Sequence, residues 1–288
     1  MKFGIHLGSL NPKAWVDVVK EADRVGFDTV WMPEHLVVPY AATGSPHAGS
    51  DHPPIPPEVP IFDVFVYLGH IAAVTERIRL GTDVYNIGLR HPFVTARAAT
   101  TLDIVSNGRL DLGIGASWLR EEWDAVNLDF DTRGKRVDEA IEICRRLWSD
   151  EKIIEHHGEF YDFGPVAFEP KPVQRPGPAL YIGGDGAAAL RRAATVGTGW
   201  IPMNHAIEDL PASLAKLNEL SERHGRSTPI ELTTHGDVEK SGDIERYADV
   251  GITQLIVRPW SRTSEALDGV RRFADDVIAP HREELSRS

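Results

Sequence analysis

The sequence predicts an α/β fold: a single (β/α)8 TIM barrel over residues 1–288, with loop insertions at its C-terminal face. Three observations predict it. Short apolar, β-branched runs alternate with segments whose apolar residues recur at helical spacing, and eight such strand-then-helix units can be counted. Right-handed crossovers wind such a series into an open doubly wound sheet or a closed barrel, and eight units in 288 residues favour the barrel. No linker separates two domains, because barrel units continue on both sides of every proline-rich stretch.

The first strand is KFGIHL (2–7). Asn11-Pro12 then offers an N-cap with proline at the first helical position. Trp15, Val18, Val19, Ala22 and Val25 form an apolar stripe that Gly26 ends. DTVWM (28–32) is the second strand, and 64–75 reads as the helix after it. RIRLGTDV (77–84) with helix 92–105 makes the third unit, with His91 as a cap. RLDLGIG (109–115) with helix 134–149 makes the fourth, the helix marked by Val137, Ala140, Ile141, Cys144, Leu147 and Trp148. ALYIG (179–183) precedes helix 185–196, GWIPM (199–203) precedes 208–224, PIELTTH (229–235) precedes 242–250, and TQLIVRP (253–259) precedes 263–277.

Three stretches exceed the minimal repeat. Residues 33–61 contain, between 39 and 60, seven of the twenty prolines. Residues 116–133 carry Trp118, Trp123 and several acids. Residues 150–178 run from a hairpin pattern, KIIEHHGEFYDF, into PKPVQRPGP. The first two follow strands two and four, so they belong on the face where barrel active sites are built. The third starts on the opposite face and has the length to reach around.

Composition narrows the function. Apolar residues make up 42% and charged residues 26%, an ordinary globular mix. A formal charge of −12 argues against nucleic acid, whose phosphates need a clustered positive surface. The longest uncharged apolar stretch, Val64 to Thr75, is too short to cross a bilayer. The apolar run 2–7 is followed at once by Asn11, Pro12, Lys13, Asp17 and Lys20 and does not read as a secretory signal. Cys144 is the one cysteine, which excludes an internal disulfide and a thiolate metal cluster. A soluble cytoplasmic protein is expected.

Chemistry is sought at strand ends. Strand two closes on Pro33-Glu34-His35, which places a proton-transferring imidazole and a carboxylate at the barrel mouth. The same pair also suits a loop cap bonded to backbone. Tyr181-Ile182-Gly183-Gly184-Asp185-Gly186-Ala187 runs from strand through a glycine turn into a helix. That arrangement offers free N–H groups and a positive helix end to a phosphate, with Asp185 as the expected helix cap. A tight turn needing small residues is the structural alternative. Asp83 and Asn86 close strand three, and Gly113, Gly115, Ala116, Ser117 and Trp118 close strand four. No metal is expected: His47 and His52 lie in the proline loop, and His156 and His157 are adjacent in a hairpin, where neighbours face opposite ways. No G-x-S-x-G elbow is present for a serine triad.

GFDTVWMPEH (26–35), TERIRLGTDV with LRHP (75–92), LDIVSNGRLDLGIGASWLREEW (102–123), RGKRVDEAIEICRRLW (133–148), HGEFYDF (157–163), PKPVQRPGPALYIGG (170–184) and ALRRAATVGTGW (189–200) occur in order. Together they resemble the luciferase-like monooxygenase superfamily, and within it the branch of coenzyme F420-dependent oxidoreductases. The likeness spans roughly residues 1–205 and is weaker beyond. It implies a barrel whose mouth holds a deazaflavin, F420, with FMN as the alternative. Asp83-Val84 matches the strand-three bulge, often a non-proline cis peptide, that supports the ring. Gly183, Gly184, Asp185, Gly186 and Ala187 match the phosphate cradle, and Ala116, Ser117 and Trp118 the loop beside the cofactor's chain. His35 matches the histidine near the reactive face, with Glu34 where many relatives carry aspartate.

The resemblance further implies hydride transfer to or from a small organic substrate, or oxygenation if the cofactor is FMN. The substrate would enter between the 33–61 and 116–133 loops, with Trp31, Tyr40, Tyr85, Trp118, Trp200 and Trp260 as candidate pocket walls. A homodimer and a reductase supplying reduced cofactor are the partners it implies.

Overall fold

The computed structural model describes residues 1–8, 10–45, 55–203 and 207–287. Eight parallel strands close on themselves: β1 Lys2–His6, β2 Thr29–Met32, β3 Arg79–Thr82, β5 Leu110–Gly115, β8 Ala179–Gly183, β9 Gly199–Ile201, β10 Glu231–His235 and β11 Gln254–Val257. A two-residue strand, β4 Tyr85–Asn86, extends β3 along β5, and β6 Ile154–His157 pairs with β7 Asp162–Val166 in a separate antiparallel hairpin. Closure is made where Leu80 of β3 meets Leu110 of β5. The helices α1 Trp15–Val25, α2 Val64–Val74, α3 Pro92–Val105, α5 Arg133–Trp148, α6 Ala187–Thr195, α7 Leu210–Arg223, α8 Glu245–Asp249 and α9 Ala266–Phe273 follow the strands in alternation. Short α4, Arg120–Ala125, lies inside the 116–133 insertion, and α10, Ala279–Arg287, ends the chain. The predicted (β/α)8 barrel is the fold observed.

Local signals account for the boundaries. Asn11 caps a short 3-10 turn before α1 by accepting the Lys13 N–H, and Gly26 ends α1 at φ 99°. His91 caps α3 by accepting from Phe93 N–H, with Pro92 at the first helical position. Strands buried on both faces read as continuous apolar runs, and β2 and β5 are buried throughout.

Two elements differ from expectation. The third strand breaks after Thr82; the Asp83-Val84 peptide that follows is cis, and β4 then resumes the ladder. The last helix does not stop near 277. It passes through a π turn, Ala274–Ile278, into α10, whose Pro280 lacks the N–H a regular ladder would use.

The 150–178 excursion does reach around. It leaves the foot of the barrel after α5, and Tyr161 and Phe163 meet His91 and Phe93 at the upper end of α3, with ring centroids 5.4 and 4.6 Å apart. It then returns to the foot, where the Gln174 amide donates to Asp103 at 2.7 Å.

Candidate active site

A cavity of about 930 Å³ opens at the C-terminal ends of the strands. Glu34, His35, Asp83, Val84, Asn86, Gly115, Ala116, Ser117, Trp118 and Gly183 to Gly186 line it; Ala187 does not, and starts α6 just behind the wall that Ala188 and Ala189 complete.

Val84 makes the floor. Its side chain is wedged between β5 and β8, where a Cβ on Gly115 would stand 2.7 Å and one on Gly183 2.8 Å from a Val84 methyl. Real Cβ contacts are never that close, so glycine is required at both positions for Val84 to sit there. The same two glycines leave bare backbone facing the cavity.

The turn after β8 is built on Gly184, whose φ of 109° suits glycine alone. The Gly184 N–H bonds to Ile201 O at 3.1 Å, and the Trp200 indole N–H donates to Gly184 O at 2.8 Å, so the turn is pinned from β9. Asp185 is not the helix cap expected. Its carboxylate turns to accept the Met203 N–H at 2.8 Å, and Gly186 occupies the N-cap of α6 without a side-chain bond. Among the described residues, no side chain caps this helix end, which lies at the cavity. Arg133 and Gly134, at the start of α5, and Arg192 of α6 line the same side. Arg192 is buried, paired to Asp138 at 2.7 Å and bonded to Gly134 O at 2.8 Å.

Across the cavity, His35 is held by Glu122 of α4. Nδ1 lies 3.1 Å from Glu122 Oε2, while Glu122 Oε1 accepts the Leu36 N–H at 2.6 Å. A carboxylate accepts there, so Nδ1 carries a proton, and the tautomer this selects leaves the lone pair on Nε2. Nε2 has no partner among the described residues. Trp118 packs edge-on against the imidazole, centroids 5.7 Å apart. Ser117 adopts φ 63° and its hydroxyl accepts the Leu119 N–H, shaping the loop around that ring.

Glu34 is buried, and both its oxygens are engaged: one accepts Asn86 N–H at 2.9 Å, the other the Arg90 guanidinium at 2.5 Å. Burial pushes its pKa above the usual carboxylate range, against the pull of Arg90. Glu34 therefore fastens the end of β2 to the segment after β4.

Asp83 lies between two histidines. Its Oδ2 is 2.8 Å from His235 Nε2 and 3.6 Å from His6 Nε2. Burial lowers the His6 pKa to about 4, and burial alone would raise that of Asp83, but the two histidines outweigh it and hold it low. For His235, burial opposes charging and the Asp83 carboxylate prevails, so its pKa is raised.

Sequence reasoning missed His6, Arg90, Glu122, Arg133, Arg192 and His235. The two histidines close predicted strands 2–7 and 229–235, so the strand-end rule that selected His35 had the means to select them. Glu122 and Arg90 had no such signal. The aromatic pocket is a correction: of the six candidates only Trp118 lines the cavity. Trp31, Tyr85, Trp200 and Trp260 are core residues, as Trp31 packs inside the barrel on Tyr181 and Tyr85 bonds to Thr95, while Tyr40 is exposed. Among the described residues no group of three or more His, Cys, Asp or Glu converges as a metal site, and no helix is long and apolar enough to cross a membrane. His47 and His52 lie outside the described residues.

Comparison with known proteins shows the family and the fold. An uncharacterised protein of Mycobacterium tuberculosis is 31% identical over 276 residues, covering 92% of this chain and 94% of the relative. The F420-dependent glucose-6-phosphate dehydrogenase of Kineococcus radiotolerans is 29% identical over 283 residues, covering 92% of this chain and 76% of that protein. Among solved structures, the monooxygenase RslO1 from Streptomyces bottropensis superposes with a TM-score of 0.79 at 24% identity, covering 98% of this chain and all of the other. The luciferase-like monooxygenase description matches residues 2–238, further along the chain than the segments quoted above. The chain belongs to the luciferase-like monooxygenase family.

Proposed function

We propose that this protein is a soluble, cytoplasmic oxidoreductase that binds coenzyme F420 at the barrel mouth and transfers hydride to or from a small organic substrate. The observation that carries the reading is the pairing of the Val84 floor with the uncapped start of α6. A flat ring fits the one and a phosphate-bearing chain fits the other. The bare backbone at Gly115 and Gly183 lets a planar group approach without meeting a Cβ. Arg133 and Arg192 would supply the positive charge for the phosphate, with Gly183, Gly184, Asp185, Gly186 and Ala187 shaping its cradle and Ala116, Ser117 and Trp118 bordering the chain.

When bound, a 5-deazaflavin supplies hydride transfer alone, whereas reduced FMN also reacts with oxygen. The protein's residues supply the rest. His35 Nε2 takes or returns a proton at the substrate, and Glu122 keeps the imidazole in the tautomer that leaves Nε2 available. Glu34 and Arg90 hold the strand end that carries His35. Pro33, Ile55, Trp118 and Met203 give the entrance an apolar lining suited to a small hydrophobic substrate.

FMN-dependent monooxygenation is the second reading, favoured by the full-length superposition on a monooxygenase. A homodimer and a cofactor reductase are the proposed partners; Val66 of α2 and Val94 of α3 are exposed apolar residues suited to a second copy. Titration with F420 and with FMN, followed by fluorescence quenching, tests the choice. Deazaflavin binding with weak or absent FMN response is expected. Tight FMN binding without a deazaflavin response would replace the first reading by the second, and binding of neither would remove both.

A further inference from the structure

His6, Asp83 and His235 come from β1, the end of β3 and β10, and converge beside the Val84 floor. No step of the proposed reaction uses them. The three are not equivalent. His6 Nδ1 accepts the Gly8 N–H at 3.2 Å, which requires a lone pair there and places the ring's proton on Nε2, toward Asp83. His6 is thereby a neutral donor. Asp83 Oδ2 receives the His235 Nε2–H at 2.8 Å, while His6 Nε2, at 3.6 Å, stands beyond hydrogen-bond distance. With Nε2 committed to a carboxylate that raises the ring's pKa, His235 when protonated has one further donor, Nδ1–H, which meets no partner among the described residues and belongs to a side chain 55% exposed at the cavity wall.

With His235 protonated, the unit is a carboxylate between a neutral ring and a cationic one, and it is polarised. Its positive end is at the cavity and its negative end is covered. Protonated, His235 would place a local cation beside the floor of a chain whose formal charge is −12.

We propose that His235 is the cavity's charge-bearing hydrogen-bond donor, meeting through Nδ1–H a carbonyl or anionic oxygen of the ring that stands on Val84. This rests on the proposed reading of the site, and deepens it. Asp83, Val84 and His235 line one cavity, so a ring supported by Val84 would lie within reach of the group that Asp83 holds. Flavins and deazaflavins share a pyrimidinedione end, which becomes more negative on reduction, and a fixed cation near it is one of the protein's means of tuning such a cofactor. A charge-assisted donor discriminates between the two redox forms, since it gains most where the oxygen carries most charge. His235 is therefore a positioning and tuning residue, and the donor choice serves either cofactor.

The test compares wild type, His235→Asn and His235→Lys for affinity toward oxidised and chemically reduced F420 and FMN, measured anaerobically by fluorescence and calorimetry. His235→Asn is expected to weaken binding of the reduced form about tenfold and of the oxidised form about threefold or less, the size of one charge-assisted bond. His235→Lys, which keeps the cation, is expected to retain the preference for the reduced form. Near-UV circular dichroism of each variant reports the fold. Equal losses for both redox forms, or an unaltered preference in His235→Asn, would overturn this inference and leave the cofactor reading standing. Wild type that binds neither cofactor in either form would overturn both.

Discussion

The buried carboxylate of Glu122 joins His35 to the backbone that carries it: one oxygen lies 3.1 Å from the imidazole Nδ1 and the other 2.6 Å from the Leu36 amide nitrogen. A single side chain thus sets the tautomer of the ring and the path of the turn after β2.

Replacing His35 by alanine is expected to slow turnover by about 10²–10⁴, the usual worth of a positioned acid–base group, while cofactor affinity changes little. Steady-state kinetics beside a cofactor titration separate the two quantities. An unchanged rate removes His35 from the chemistry.

Glu122→Gln keeps the volume but lets the amide present an N–H where the ring now donates. The expected result is a smaller loss of rate than in His35→Ala, with a changed pH profile of kcat. A profile identical to wild type would show that Glu122 does not set the tautomer.

Glu34→Ala tests a holding role. Arg90 would be left buried without its carboxylate, and its Nη1 already has no hydrogen-bond partner. Breaking such a pair typically costs about 3–5 kcal/mol, so denaturant unfolding should show a large drop in stability. Full stability with lost turnover would instead make Glu34 a reacting group.

Gly183→Ala places a methyl 2.8 Å from a Val84 methyl. Overpacking of this kind costs about 1–3 kcal/mol and displaces the floor, so cofactor affinity should fall together with stability. Retained affinity would show that Val84 is not the support.

Acidification probes His6. Its folded pKa of about 4 lies below the ordinary value of 6.5, so between these values the unfolded chain binds a proton that the folded one refuses. The corresponding stability is present above pH 6.5 and is lost as pH falls toward 4, by about 3 kcal/mol at 1.36 kcal/mol per unit. The opposite sign holds for His235, whose raised pKa contributes stability at low pH that disappears as pH rises through the folded value. Asp83, His235 and the exposed Arg258 are the charged groups that bear on His6. Urea midpoints for wild type and His6→Asn at pH 7 and 4.5 check this, the variant being expected to lose less. Parallel slopes would sink it.

The barrel was legible because strand and helix periods differ and the alternation repeats. His35 and the glycine turn were legible for a related reason: both stand at strand ends, where position follows from the local pattern. Glu122 was not. Its partner lies 87 residues away, and nothing in LREEW distinguishes the acid that turns inward from the one beside it, which binds Thr43. Arg90 likewise looks like any loop arginine until β4 brings Asn86 and Glu34 together. The aromatic candidates failed for a simpler reason: a tryptophan on a barrel strand faces the interior or the helices as readily as the mouth, and composition does not choose. The expected Asp185 cap failed because Met203, on the next turn, offered its carboxylate a competing N–H.

Gly115 and Gly183 also bear on how this molecule can diversify. Any side chain at either position collides with Val84, so the platform is closed to gradual substitution. New specificities must then be written at lining positions such as Pro33, Ile55 and Trp118, which carry no such constraint. The barrel therefore divides its inheritance into an immovable bench for the proposed coenzyme and a replaceable doorway for whatever would be transformed on it.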